Sequence, residues 1–184
     1  MHQLYFIAII PPDPLRDKIQ QLKLEVKEKF NSSHSLNAPP HITLLSPFRM
    51  KEELEDNLDS LLEVFIQGFE PFEVQLNDFS TFPPRVIFID VKKSEPLKGI
   101  QQKLEETARS KPDMFSYNYH EREYHPHITL AFKDLTKSNF YKAWDEFEDR
   151  EFDEDFKADR LHLLKHDGTK WEPVRTFLMK KKLI

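Results

Sequence analysis

The sequence predicts an α+β fold built from two equivalent β-α-β-α-β halves, about residues 1–80 and 81–165. Three observations predict it. The tetrapeptide His-Ile-Thr-Leu occurs twice, at 41–44 after Pro39-Pro40 and at 127–130 after His125-Pro126. At ordinary residue usage a second identical copy arises by chance about once in a thousand. Around both copies the apolar periodicity runs in the same order: strand, helix, motif strand, helix, strand. The distance from each motif to the strand beyond the next helix is also the same, about thirty residues.

Residues 4–10 are a continuous apolar run rich in Ile and aromatics, which reads as a buried central strand. Pro11, Pro12 and Pro14 end it. Leu15, Ile19, Leu22, Val26 and Phe30 then recur at spacings of three and four, so a helix of about four turns follows. Asp13 is its expected N-cap and Asn31-Ser32-Ser33 its exit. The first motif strand runs to about Phe48. Leu54, Leu58, Leu61, Leu62 and Phe65 mark a second helix closed by Gly68, and Phe72, Val74 and Leu76 alternate as a strand. Beyond residues 79–84 the order begins again. Residues 86–91 form an apolar strand, and Leu97, Ile100 and Leu104 mark a helix before the second motif. A helix around Phe140, Ala143, Trp144 and Phe147 and a strand over 156–164 complete the second half. A C-terminal strand, about 171–179, joins it by a hairpin through Asp167-Gly168. No flexible linker separates the halves, so residues 1–184 are expected to form one domain whose halves share an interface.

Composition narrows the function. The chain has no cysteine, which excludes disulfides, thiolate metal sites and Cys nucleophiles and suits a reducing cytosol. The first apolar run lacks a basic leader and the length of a signal segment, and no stretch approaches a membrane span, so a cytoplasmic protein is expected. A net charge of −5 argues against a DNA duplex or other long nucleic acid as partner. It leaves room for a small phosphorylated ligand or one RNA end held in a local basic cleft. Three glycines cannot build a P-loop or a dinucleotide fingerprint.

The motifs carry the chemistry. In a strand, residues i and i+2 share a face, so His41 stands beside Thr43 and His127 beside Thr129, while Ile42, Leu44, Ile128 and Leu130 turn into the core. Two imidazoles near neutrality can divide the work of accepting and donating a proton. Two hydroxyls beside them can donate to the non-bridging oxygens of a phosphate. This set points to in-line attack on a phosphodiester with no covalent intermediate, no metal and no other cofactor. A lone His-x-Thr on a strand would be functional in about one case in ten. The duplication raises that greatly, because packing demands the Ile and Leu twice but not the His and Thr. Arg85 beside the aromatic-proline turn is a candidate phosphate contact, with a plain surface arginine equally plausible. His125, Phe82 and Tyr124 are candidate substrate contacts, one aromatic stacking on a base. Phe48 and Phe132 are expected in the core. His125 and His127, with His120 nearby, could also hold a metal. No carboxylate at ligand spacing accompanies them, so that reading is set aside. His2, His34 and His162 receive no role.

Pro40-His41-Ile42-Thr43-Leu44 and Pro126-His127-Ile128-Thr129-Leu130 resemble the paired His-x-Thr signature of the two-histidine (2H) phosphoesterase superfamily, in its bacterial 2′-5′ RNA ligase-like (LigT-like) branch. Phe82-Pro83-Pro84-Arg85-Val86-Ile87-Phe88, Leu161-His162-Leu163-Leu164 and Trp171-Glu172 support the resemblance, which covers nearly the whole chain. It implies a bilobal fold with mainly antiparallel sheets, helices outside and a central cleft between the lobes. It implies an enzyme that opens cyclic phosphodiesters in small cyclic nucleotides or at RNA 3′ ends, with 2′-5′ RNA ligation as the reverse reaction; a metal-independent monomer is expected. Carried onto this chain, His41 would protonate the leaving ribose oxygen, His127 would activate water, and Thr43 and Thr129 would hold the phosphate. The internal symmetry leaves the two His roles interchangeable. Two departures bear on the substrate: Ala131-Phe132-Lys133 stands where relatives often carry an Arg, and Lys165-His166 where they often place a Ser. A module that captures nucleotides or RNA ends without turnover is the competing class.

Overall fold

The structure, a computed structural model, describes residues 1–116 and 123–180. The first apolar run becomes β1 (His2–Ile9), followed by α1 (Leu15–Phe30), β2 (Ile42–Lys51), α2 (Glu55–Ile66), β3 (Phe72–Phe82) and β4 (Val86–Val91). Then come α3 (Glu95–Arg109), β5 (His127–Ala131), α4 (Lys137–Phe147), β6 (Asp153–Ala158), β7 (Arg160–His166) and β8 (Trp171–Leu178). Two antiparallel four-stranded sheets result, in the orders β2-β1-β7-β8 and β5-β4-β3-β6. β1, paired on both sides, is the central strand that its unbroken apolar run requires.

The sheets do not divide the chain at residue 80. β3 pairs with β4 in the second sheet, and β7 returns to pair with β1 in the first. The helices cross as well, α1 packing on β5 and α4, and α3 on β2. The stretch 156–164, expected as one strand, is two strands in different sheets. Its buried positions run Phe156, Ala158, then Leu161, Leu163. The alternation therefore slips by one residue near Asp159, where the chain passes from one sheet to the other.

Local signals otherwise act as their chemistry dictates, with one correction. Asp13 does not cap α1: Pro14 occupies the cap position and the Asp13 carboxylate pairs with Arg16. Side-chain caps do occur at Ser94, which accepts from the Leu97 N–H, and at Thr136, which accepts from that of Asn139. α1 ends on Asn31 in the left-handed region at φ 53°, and α2 is capped by Gln67, one residue before Gly68.

Alternation along β1 builds two faces. Tyr5, Ile7 and Ile9 enter the main core, which continues across both sheets and takes in Ile42, Leu44, Ile128 and Leu130. Phe6, Ala8 and Ile10 join Leu164 and Trp171 in a small second cluster on the opposite face. Thr43 lies opposite Ala8, and Thr129 opposite Phe88. Each buried Ile or Leu of the motifs contributes about 1.5–3 kcal/mol, and its burial fixes which way the polar neighbours point. No helix among the described residues is long and apolar enough to cross a membrane.

Candidate active site

An open cleft of about 340 Å³ lies between the sheets, with His41, Thr43 and Thr129 in its lining. Phe6 and Trp171 stand on one side, their rings 4.7 Å apart. His34, Phe132 and Lys133 form another wall, the His34 and Phe132 rings meeting edge-on at 4.9 Å. The chain has 32 acidic residues, yet none of the described cleft-lining residues is acidic. Local charge is thus opposite in sign to net charge, as an anion site requires.

The two motif histidines are held in the same way. His41 Nδ1 is 2.7 Å from the Pro39 carbonyl, and His127 Nδ1 is 2.7 Å from the His125 carbonyl. A carbonyl can only accept, so Nδ1 carries the hydrogen and the reactive lone pair or proton falls on Nε2. In both cases the carbonyl belongs to the residue before a proline, where the chain is extended and leads straight into the motif strand. An aromatic ring backs each imidazole: Phe6 at 4.8 Å from His41, and Phe88 at 4.9 Å from His127.

Their surroundings differ. Burial pushes His41 down to about 4; the Lys23 ammonium adds to this, His127 adds a little, and the Pro39 carbonyl pulls back. Burial also lowers His127 and His125 adds to it, but the bond to the His125 carbonyl and the Asp90 carboxylate oppose. His125 Nε2 lies 2.9 Å from Asp90 Oδ1. Lys23 is buried in α1, where its ammonium donates to the carbonyls of Ser35 (3.0 Å) and Ala38 (3.1 Å).

The turn that precedes the first motif is fastened to the end of the second. Asp134, just beyond β5, accepts from Ser32 Oγ at 2.7 Å and from the N–H groups of Ser33 and His34 at 2.8 and 2.9 Å. Burial alone would raise its carboxyl, but these hydrogen bonds outweigh it and hold the group below the usual range. Ser35 Oγ also donates to the Leu130 carbonyl at 2.7 Å.

Of the residues singled out from sequence, His41, Thr43 and Thr129 meet in the cleft, and His127 is close enough for its charge to reach His41. Phe82 and His125 cluster on His127, with the Phe82 ring 5.4 Å from His127 and 5.3 Å from His125. Tyr124 is occupied otherwise: its hydroxyl donates to the Thr43 carbonyl at 2.9 Å, tying the second half to the first motif strand. Arg85 is exposed in the β3–β4 turn and is absent from the cleft lining. Phe132, expected in the core, lines the cleft instead, and so does His34. His120 lies outside the described residues, among which no cluster of three or more His, Cys, Asp or Glu could hold a metal. Lys23 and Asp134 escaped sequence reasoning. Lys23 had a readable signal, since a charge at position 23 interrupts the apolar stripe of Ile19, Val26 and Phe30.

A family model described as the 2′-5′ RNA ligase superfamily matches residues 11–170. A protein of Oceanobacillus iheyensis, provisionally named a phosphoesterase, is 30% identical over 95% of this chain and 97% of its own length. A similarly named protein of Geobacillus kaustophilus is 25% identical over 95% of each chain. Among solved structures, E. coli LigT in apo form superposes with a TM-score of 0.69 at 18% identity, covering 98% of this chain and 99% of that one. The TT0787 protein of Thermus thermophilus gives 0.67 at 19% identity, with 98% and 99% covered. At these identities the likeness between the structures is one of fold.

Proposed function

The chain belongs to the 2′-5′ RNA ligase superfamily, and from that membership we propose that it is a phosphoesterase opening cyclic phosphodiesters, either small 2′,3′-cyclic nucleotides or cyclic phosphates at RNA 3′ ends. The observation that carries this reading is the matched pair of tethered imidazoles, each with Nδ1 engaged and Nε2 left for chemistry. A cleft of about 340 Å³ is of small-ligand size. LigT has been crystallised with 3′-AMP, NADP+ and ATP, which supports a nucleotide as the ligand class.

In the proposed reaction the hydroxyls of Thr43 and Thr129 donate to the non-bridging oxygens of the phosphate and hold it between the two rings. Water attacks phosphorus opposite one ribose oxygen. One imidazole takes the water's proton at Nε2, and the other gives its Nε2 proton to the leaving ribose oxygen, so a phosphomonoester and a free hydroxyl result. No step requires a metal.

The two rings are unequal, both lowered by burial but His41 the more strongly, and this difference supports one division of roles. His41, lowered to about 4 by burial and then by Lys23, enters uncharged and serves as the base. His127, whose bond to the His125 carbonyl and nearby Asp90 favour the imidazolium, serves as the acid. This reverses the order that the family resemblance implies. Turnover of a 2′,3′-cyclic nucleotide tests the whole reading. His41→Ala and His127→Ala should each lose about 10²–10⁴ in kcat, and wild-type activity should survive EDTA. Unchanged turnover in both variants would sink the assignment.

A further inference from the structure

Among the described residues Lys23 is the only charged side chain that is buried, at 1% exposure. A buried ammonium normally has a carboxylate beside it, because desolvation is otherwise uncompensated. Among the described residues Lys23 has no ion-pair partner, and its hydrogen-bond partners are the Ser35 and Ala38 carbonyls, two acceptors for the three N–H groups of an ammonium. Yet Lys23 lines the same cleft as His41, Thr43 and Thr129. Among the described residues the titratable groups around that cleft, besides Lys23, are His34 from the turn after α1, His41 ahead of β2, His127 on β5 and Lys133 beyond β5. None is acidic, and Asp134 is committed to Ser32, Ser33 and His34.

The internal repeat marks the position as special. Adding 78 to Ile19, Leu22, Lys23, Val26 and Phe30 of α1 gives Leu97, Ile100, Gln101, Leu104 and Ala108 of α3, so the inward faces of the two helices align. Lys23 and Gln101 are the buried polar residues of those faces. The second half keeps an amide there, donating to Glu105 at 3.0 Å, while the first half carries the charge.

We propose that Lys23 is a substrate-binding residue whose ammonium contacts the anionic group held between Thr43 and Thr129, so that the ligand supplies a counter-charge that none of the described residues lining the cleft provides. The inference rests on the phosphoesterase reading only in identifying that anion as a phosphodiester.

A consequence separates this role from a structural one. Burial lowers Lys23 to about 7 in the empty protein, so at pH 8 it is mostly uncharged. An anion beside it favours the ammonium, and binding must then take up a proton. Sulfate is a suitable probe because it does not titrate in this range. Calorimetry in buffers of different ionisation enthalpy, on wild type, Lys23→Gln and Lys23→Met, reads both affinity and proton uptake. Gln is the residue that the repeat itself uses at this place and keeps N–H donors for the two carbonyls. Wild type should bind sulfate with proton uptake at pH 8. Both variants, shown to be folded by their melting curves, should bind about ten- to a hundred-fold more weakly and lose most of the uptake. Wild-type affinity in the variants overturns the proposal. So does weaker binding with the uptake intact, which would place the protons on the histidines, and so does a wild type that does not bind sulfate. Turnover is not read here: a protein that passes this test but hydrolyses no cyclic nucleotide keeps Lys23 as an anion contact and loses the enzymatic reading.

Discussion

His41 and Lys23 both give up charge on folding, so stability should depend on pH in two separate windows. His41 has an ordinary value of 6.5 and a folded value of about 4. Above pH 6.5 it is neutral in both states. As pH falls from 6.5 towards 4 the unfolded chain takes the proton first, and stability is lost, by about 2–3 kcal/mol. His41→Gln should lack that loss, visible as the difference between variant and wild type in urea titrations over this range. Lys23 falls from 10.5 to about 7. Between pH 7 and 10.5 the unfolded chain binds the extra proton, so this residue's contribution to stability rises with pH across that window. Lys23→Met should abolish this rise, read as the difference between variant and wild type in urea titrations from pH 7 to 10.5. His41, Thr43, Thr129 and His127 were legible because they are repeated and because packing has no use for them. Lys23 was not, because a single lysine in a helix is read as solvated unless its place on the apolar stripe is weighed.

The connections between elements, more than the elements themselves, shape the cleft. The turn from Ser32 to Ala38 is held from one side by Asp134 and from the other by Lys23. Asp134→Ala should remove several charge-assisted bonds and destabilise the protein by about 1–2 kcal/mol, a value discounted for the exposure of the site. Because the turn carries both of Lys23's acceptors, the same change should raise KM more than it lowers kcat in cyclic-nucleotide assays. Equal loss in both would argue that the turn does more than position the ligand. Among the described residues periodicity revealed the four α-helices and most strands, since the core-facing residues obey it closely, but not the short 3-10 turns at 34–37 and 52–54. It failed at 156–164, where two strands in different sheets read as one, and only the slip between Ala158 and Leu161 records the break. It also failed at Asp13, where a following proline took the cap position.

At the scale of the whole molecule the strand exchange decides how the protein holds together. A pattern of inward and outward residues identifies strands but does not name their partners, which is why the crossing of β3 and β7 was invisible in the sequence. Each sheet contains strands from both halves of the chain, β7 joining β1 and β2 in one and β3 joining β4 and β5 in the other, and one core runs through both. Urea should therefore unfold the protein in a single transition, with fluorescence and circular dichroism coincident. Fragments 1–82 and 83–180, expressed separately, should each fail to show a cooperative melt. A folded fragment would mean that the halves are independent.

The exchange has a further consequence. A half-length chain of the same plan would have to lend its last strand to a second copy and borrow that copy's strand in return. Such a pair obeys its own two-fold symmetry, so whatever stands beside one imidazole stands beside the other. Joining the halves in one chain lifts that restriction. Position 23 is free to hold a cation while position 101 holds an amide, and two rings of identical make can enter into a division of labour.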